Sequence, residues 1–409
     1  MEPNIRVKGF DGDWEERSLG EIFSFQNGFN GGKEVYGSGV PLISVMDVLD
    51  DDFITYDKIR GKAEVSEEER ERFSVKYGDV LFQRSSENVE DAGTSNVYLD
   101  PDYTAVFGGF VIRGRGIADY DPTFMKYCLS TPMVRTQFMK KAQGAQHVNI
   151  SQEVLQGIRI CKPSDAEQAK ISEMLSCLGQ QTSLQQQKVG DLKELKKCML
   201  QKMFPKDGEK VPEIRFAGFE GEWEQRNLGD MLVRYEDPVE TPHDGYERLG
   251  IRSHAKGVFH SYVEAGKELD AAKMHRVAAN KFILNITFAW EHAVAITEEG
   301  DAGTLVSHRF PQFSFHQDLK SQFFRYLMID HRFRDYLELC SPGGAGRNRV
   351  LNVNDMLKYV ITMPSVEEQT KIGEYFATLD SLITHHQRKH DTLLEFKAYL
   401  LQNMFPKEG

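Results

Sequence analysis

The strongest constraint on this 409-residue chain is that it repeats itself. Residues 3–23 read PNIRVKGFDGDWEERSLGEIF and residues 212–232 read PEIRFAGFEGEWEQRNLGDML, with 11 of 21 positions identical at an offset of 209. Residues 160–208 and 361–409 agree at 21 of 49 positions at an offset of 201, and they finish on QKMFPKDG and QNMFPKEG. The stretches between, about 24–159 and 233–360, do not match, and the second is eight residues shorter. A scaffold has been duplicated while its inserts have diverged. Equivalent scaffolds offer equivalent seats to one kind of partner, and divergent inserts offer two readings of a ligand. Length alone allows about two to three domains, and each half can bury its own core.

The second matched segments read as long helices. Neither carries a Pro between its opening Pro-Ser and its closing Phe-Pro. Ile171, Met174, Leu178, Leu192, Leu195 and Met199 recur at helical spacing in the first, and Ile372, Phe376, Leu379, Ile383, Leu393 and Leu400 in the second. Ser164 and Ser365 supply N-caps, Glu167, Glu367 and Glu368 suit the positive end of the dipole, and Phe204-Pro205 and Phe405-Pro406 supply stops. The centres are polar, with Gln180, Gln181 and Gln185 to Gln187 in one and Thr384 to Arg388 in the other. Two readings stand: solvated helix faces, or two rods paired across a pseudo-two-fold as a coiled coil with a polar centre. His385 and His386 are adjacent and so do not share a face as metal ligands would.

Composition narrows the function classes. There are 62 acidic and 50 basic residues, net -12, which excludes coating of nucleic acid by bulk positive charge but not a focused footprint. Residues 1–160 carry 18 basic and 26 acidic groups, and residues 212–360 carry 18 and 22. Cys128, Cys161, Cys177, Cys198 and Cys340, with no C-x-x-C pair, read as reduced thiols of a cytoplasmic protein. No apolar run reaches membrane-spanning length, and Met1-Glu2-Pro3-Asn4 does not open a secretory signal.

The inserts read as mixed α+β. In the first, 40–48, 78–85 and 107–113 are strand-like, followed by helices opening at Asp121-Pro122 and near Val134. In the second, 281–297 and 311–316 are strand-like, followed by a helix near 319–339. Side chains suited to base edges or phosphates form three groups: Gln83, Arg84, Ser85, Ser86 and Asn88; Arg252, Ser253, His254 and Lys256; and Arg347, Asn348 and Arg349 in a Gly-rich loop. Each is equally readable as an ordinary polar loop. Trp290 reads as packing rather than as a base-stacking platform, and Trp14 and Trp223, at matched positions, read as structural.

Several motifs together resemble one family. They are GFDGDWEERSLG, the helix openings Pro163, Glu167, Gln168, Lys170, Ile171 and Pro364, Glu368, Gln369, Lys371, Ile372, and the segments Tyr77 to Phe82 and Gly108 to Ile112. Leu249 to Phe259 and Phe288-Ala289-Trp290-Glu291 extend the likeness over nearly the whole chain. Their order within a duplicated frame resembles the specificity subunit of type I restriction-modification systems. A Gly-Asp turn usual before the last motif is replaced by Ala279-Asn280, and Asn tolerates the left-handed conformation such a turn needs.

The resemblance implies an α/β (mixed α+β) chain. Two target recognition domains, 1–160 and 207–360, are joined by two long antiparallel spacer helices, 161–206 and 361–409. It implies double-stranded DNA as ligand, read as a bipartite asymmetric target, and no catalysis by this chain. It also implies two adenine-N6 methyltransferase subunits and restriction/translocase subunits as partners, with S-adenosylmethionine, ATP and Mg2+ on those partners and no cofactor here. The residues agree with the absence of catalysis. There is no G-x-x-x-x-G-K-[ST] loop, no G-x-G-x-x-G before a helix and no H-E-x-x-H. Asp50 to Asp52 and Glu67 to Glu69 read as solvated faces rather than metal sites, and His147 has no nucleophile-elbow Ser. Two other classes stay open: a scaffold bridging two proteins without DNA readout, and a nuclease with an unrecognised site.

Overall fold

The computed structural model describes residues 2–144, 147–268, 273–343 and 349–407. The chain divides into two compact units, Met1–Gln186 with Arg388–Gly409, and Gln187–Gln387. The division falls inside the two long helices, Asp165–Lys202 and Val366–Asn403. Each helix has 38 residues, about 57 Å at 1.5 Å per residue. Each unit therefore owns the start of one helix and the end of the other.

In the first unit the two matched segments meet. Glu15–Ser18 pairs antiparallel with Arg159–Lys162, Glu15 opposite Lys162 and Arg17 opposite Ile160. This ribbon closes a loop that holds the whole insert. Inside it, one four-stranded sheet runs Phe23–Asn27, Val111–Gly116, Val80–Gln83, Ser95–Val97. Another runs Gly61–Ala63, Tyr36–Ile43, Ala105–Phe107, Ser74–Val75. Strand alternation sorts the first sheet into two cores. Val80, Phe82 and Ile112 join Phe124, Val134 and Phe138 of the helices Pro122–Leu129 and Pro132–Lys141. Leu81 and Val111 join Ile43 and Phe107 on the other face. Asp121 caps the first of these helices by accepting from the Phe124 amide at 2.7 Å, with Pro122 at its first position.

The long helices complete that core. Ile171 and Leu175, from the start of the first, and Leu400, Met404 and Phe405, from the end of the second, lie in one buried cluster. Met174 and Leu178 pack against it. The start of one helix thus lies with the end of the other, which is an antiparallel arrangement. Each large apolar side chain so buried contributes about 2 kcal/mol on leaving water.

The second unit repeats the plan. Glu224–Asn227 pairs with Val360–Met363, Glu224 opposite Met363 and Arg226 opposite Ile361. Adding the offsets of 209 and 201 to the first ribbon reproduces this register pair for pair. A four-stranded sheet runs Leu232–Tyr235, Gln312–Phe315, Phe282–Leu284, Val294–Ile296, and a five-stranded sheet runs Pro238–Val239, Met274–Arg276, Leu305–Ser307, Tyr246–Ile251, Val258–Val263. Met203 and Phe204, from the end of the first long helix, share a core with Ile372, Phe376 and Leu379, and Leu192 and Met199 pack against it. The fifth strand is where the inserts diverge most plainly.

Several details differ from the sequence reading. Leu195 is 43 % exposed rather than buried in the stripe, and Ile383 and Leu393 are half-buried. The run 107–113 is broken at Gly109-Phe110, where the chain turns between two sheets. The run 281–297 is a pair of short strands joined through a 3-10 turn, Ala289–Glu291, that holds Trp290. The stretch 319–339 holds two helices, Ser321–Leu327 and His331–Leu339, because Asp330 caps a fresh start by accepting from the Arg332 amide. Asn280 adopts φ 56°, the left-handed conformation expected of it. Among the described residues, no helix is long and apolar enough to cross a membrane.

Candidate nucleic-acid interface

Each insert is anchored by the same set of side chains. Arg6 Nε and Nη2 donate to the two carboxylate oxygens of Glu167 at 2.8 Å each, and Nη1 donates to the Gly12 carbonyl. Arg215 donates to Glu368 at 2.7 Å twice and to the Gly221 carbonyl at 2.6 Å. Both carboxylates are 1 % exposed, so these are buried bidentate pairs. The hydrogen bond to each carboxylate holds its guanidinium above the ordinary Arg range. The neighbouring glutamines act in parallel. Gln168 Nε2 donates to the Pro163 carbonyl at 3.0 Å while its Oε1 accepts from the Asp121 amide at 3.3 Å. Gln369 Nε2 donates to the Pro364 carbonyl at 2.9 Å while its Oε1 accepts from the Lys320 amide at 2.9 Å. The Glu-Gln step at each helix start therefore ties the first matched segment and the insert's own helix to one point.

The tryptophans finish the anchor. Trp14 meets Phe124 and Phe405 with ring centroids 5.9 and 5.8 Å apart. Trp223 meets Phe323 and Phe204 at 5.9 and 6.1 Å. Both are buried, as their matched positions suggested.

On the first insert the expected contact loop is divided in its duties. Gln83 is 6 % exposed, with Nε2 donating to the Ser85 carbonyl at 3.0 Å. Ser86 is buried and its hydroxyl donates to the Asn88 carbonyl. These two are spent inside the fold. Ser85 donates to Asn149 Oδ1, and Asn88 donates to Asp91 Oδ2 at 3.3 Å. Arg84 makes no ion pair among the described residues, and its Nη1 donates only to the Gly109 carbonyl at 3.3 Å. It lines a cleft of about 370 Å3 with Asn27, Gln143, Asn149, Ser151 and Gln152. Those partners come from loops far apart in sequence, and no local pattern announces them. By contrast Arg115 is fixed on buried Asp79 at 2.7 Å, and burial lowers the Arg113 pKa to about 10.

On the second insert, Arg252 Nη1 donates to the Val258 carbonyl and its guanidinium lies 5.4 Å from the Phe259 ring centre. Ser253 donates to Glu291 at 2.6 Å. His254 and Ala255 both have positive φ, and their amides donate to the Glu291 and His292 carbonyls at 2.8 Å each. This backbone hold leaves the His254 and Lys256 side chains exposed. Arg349 pairs with Glu338 at 3.1 Å and lies over Trp290 at 5.3 Å, so both residues are engaged in packing. Arg347 and Asn348 lie outside the described residues. Nearby, His260 bridges Glu247 and Asp301 at 2.8 Å each, and hydrogen bonds to Asp301 and then Glu247 raise its pKa.

Asp50 to Asp52 form an exposed loop whose carbonyls at 50 and 52 accept from Asn96 at 2.9 and 2.7 Å. Glu69 accepts from Ser66 in a helix-start capping box. Among the described residues, no group of three or more His, Cys, Asp or Glu is arranged to hold a metal ion.

Residues 11–194 match the family model of the type I restriction modification DNA specificity domain. Over these residues, a little under half of the chain, the sequence is similar to that specificity domain. The match runs from the Gly-Asp-Trp segment into the first long helix, so it takes in the ribbon, the first insert and the Glu-Gln step. The fold is similar over 100 % of both chains to the S subunit of a type I restriction-modification system from M. genitalium, at 13 % identity and a TM-score of 0.61. It is similar over 97 % of this chain and 98 % of the other to a chain from a study of complex assembly and conformational transition of the type I R-M system, at 12 % identity and 0.51. A comparison with curated proteins finds no match by sequence.

Proposed function

We propose that this chain reads a bipartite, asymmetric double-stranded DNA target and positions the subunits that act on it. The observation that carries the reading is the repeated anchor. Two unlike inserts are closed by ribbons of identical register, and each is pinned by the same Arg–Glu pair. Identical mounts for unlike surfaces suit a molecule that presents two different half-site readers. Base edges carry sequence and phosphates carry position, so two readers on helical spacers specify two short sequences and a gap. The equivalent frames suit two copies of one partner, which we assign as adenine-N6 methyltransferase subunits. Restriction/translocase subunits complete the assembly. S-adenosylmethionine, ATP and Mg2+ belong to those partners.

Sequencing adenine methylation in a host with and without this gene, in the presence of its methyltransferase partner, tests the proposal. Methylation at one asymmetric two-part motif that vanishes with the gene is the expected result. Unchanged methylation, together with no DNA binding by the assembled complex, would leave a protein-bridging scaffold as the reading. DNA cleavage by the isolated chain would instead point to a nuclease.

A further inference from the structure

The polar cleft of the first unit has the chemistry of a base-reading surface. Three separated pieces of chain build it. The first is Asn27 and Gly28, where a Cβ on Gly28 would come within 2.1 Å of the Gly108 carbonyl oxygen, so this loop lies directly on the Gly108-Gly109 turn. The second is Arg84, whose amide donates to the Phe110 carbonyl at 2.9 Å and whose guanidinium donates to the Gly109 carbonyl. The third is Gln143 with the segment 149–152, tied down where the Gln143 and Asn149 backbones exchange hydrogen bonds of 3.2 and 2.8 Å and where the Ile150 amide donates to the Arg84 carbonyl at 2.9 Å. The backbone is thus held while the side chains are left open. Among the described residues, the side-chain carboxamides of Asn27, Gln143 and Gln152 have no hydrogen-bond partner and Arg84 makes no ion pair, while Glu153, which also lines the cleft, accepts from the Ser151 hydroxyl at 3.4 Å.

That combination is unusual in this unit, whose other arginines on the sheet are locked: Arg113 donates to Gln26 and Arg115 to Asp79. Next to Arg84 stands Phe110, 68 % exposed, in the turn whose Gly109 and Phe110 carbonyls accept from Arg84. An apolar ring held out by a braced turn gains nothing from the fold. It suits contact with a thymine methyl or a wedge at a base step.

We propose that this cleft reads the first half-site. Its amide side chains pair with adenine at N6 and N7, Arg84 pairs with guanine at O6 and N7, and Phe110 makes apolar contact beside them. The inference rests on the proposal that the chain reads DNA. Carboxamides present a donor and an acceptor side by side, and a guanidinium presents two donors, which are the complements of those two purine edges. A cleft of about 340 Å3 in the second unit is lined differently, with Phe259, Phe288 and Phe310 beside Arg248, Asn285 and Glu291. Two unlike clefts fit two unlike half-sites.

The test uses the chain assembled with its methyltransferase partner and duplexes in which each base pair of the target is substituted in turn. Arg84→Ala should lower discrimination at one G·C pair of one half-site by about 10- to 100-fold. Asn27→Ala with Gln143→Ala should do the same at an A·T pair of that half-site. Tolerance in the other half-site should not move. If Arg84→Ala fails to fold, Arg84→Lys keeps the charge but loses the two-pronged contact, and the same loss is expected. A uniform loss of affinity with a shallower salt dependence would make these residues phosphate contacts and overturn base reading. Unchanged discrimination would likewise overturn it. Absence of sequence-specific binding by the unaltered complex would instead remove the DNA-reading proposal itself.

Discussion

Arg6 and Arg215 set the terms on which the inserts are held. Each neutralises a glutamate that is almost fully enclosed, and removing a partner from a buried pair strands the other charge. Arg6→Ala should destabilise the first unit by about 3 kcal/mol, and Arg215→Ala should do the same to the second. Chemical denaturation of each variant measures this, and a loss below about 1 kcal/mol in both would mean the pairs are incidental. The motif around Glu167 and Gln168 was legible in the sequence, but its duty was not. Glu167 bonds a residue 161 positions away, and no spacing rule reaches that far. The polar loop after Val80 was legible only as a group. Val80 to Gln83 are all buried because both faces of that sheet are covered. Gln83 therefore cannot point outward as simple alternation with solvent would allow, and Arg84 is the unburied member of the group left without a side-chain partner among the described residues.

At the scale of elements the long helices were the most readable. Their caps, stops and apolar stripe come from local chemistry, and the observed ends fall beside the Ser and Phe-Pro signals. The stripe misplaces Leu195, which satisfies helical spacing yet lies exposed. Spacing identifies a face of a helix but not how far along that face a neighbour extends. The inserts were harder, because strands of two to eight residues with a turn at Gly109-Phe110 leave little periodicity to read. If the helices act as the ruler, adding seven residues to each beyond Gln186 and Gln387 keeps the stripe nearly in phase and adds about 10.5 Å. Methylation sequencing should then return both half-sites unchanged with a gap longer by about three base pairs. The same gap as before would refute the ruler role.

The whole molecule is organised around joins rather than around one core. The Ile5 amide donates to the Asn403 carbonyl at 2.8 Å, and at the matched place the Ile214 amide donates to the Lys202 carbonyl at 2.9 Å. Asn4 and Ile5 therefore lie against Asn403 in the first unit as Ile214 lies against Lys202 in the second. A chain joined from Gly409 to Met1 by a short Gly-Ser linker, and opened within 206–209, should fold and give the same methylation pattern. A permuted chain that folds but methylates a different motif would show that the joins are not equivalent.

The closing ribbons carry a consequence for descent. A recombination event that breaks within the Glu15–Ser18 and Arg159–Lys162 strands, or their matched pair, replaces everything between them while the register of the ribbon is kept. The frame asks of an arriving segment that its two ends reach one another and that it bring a helix to the Gln and Trp of the anchor, conditions met by two inserts that differ by eight residues. If the inserts read DNA as proposed, one such exchange changes a half-site while the frame that docks the partners stays as it was.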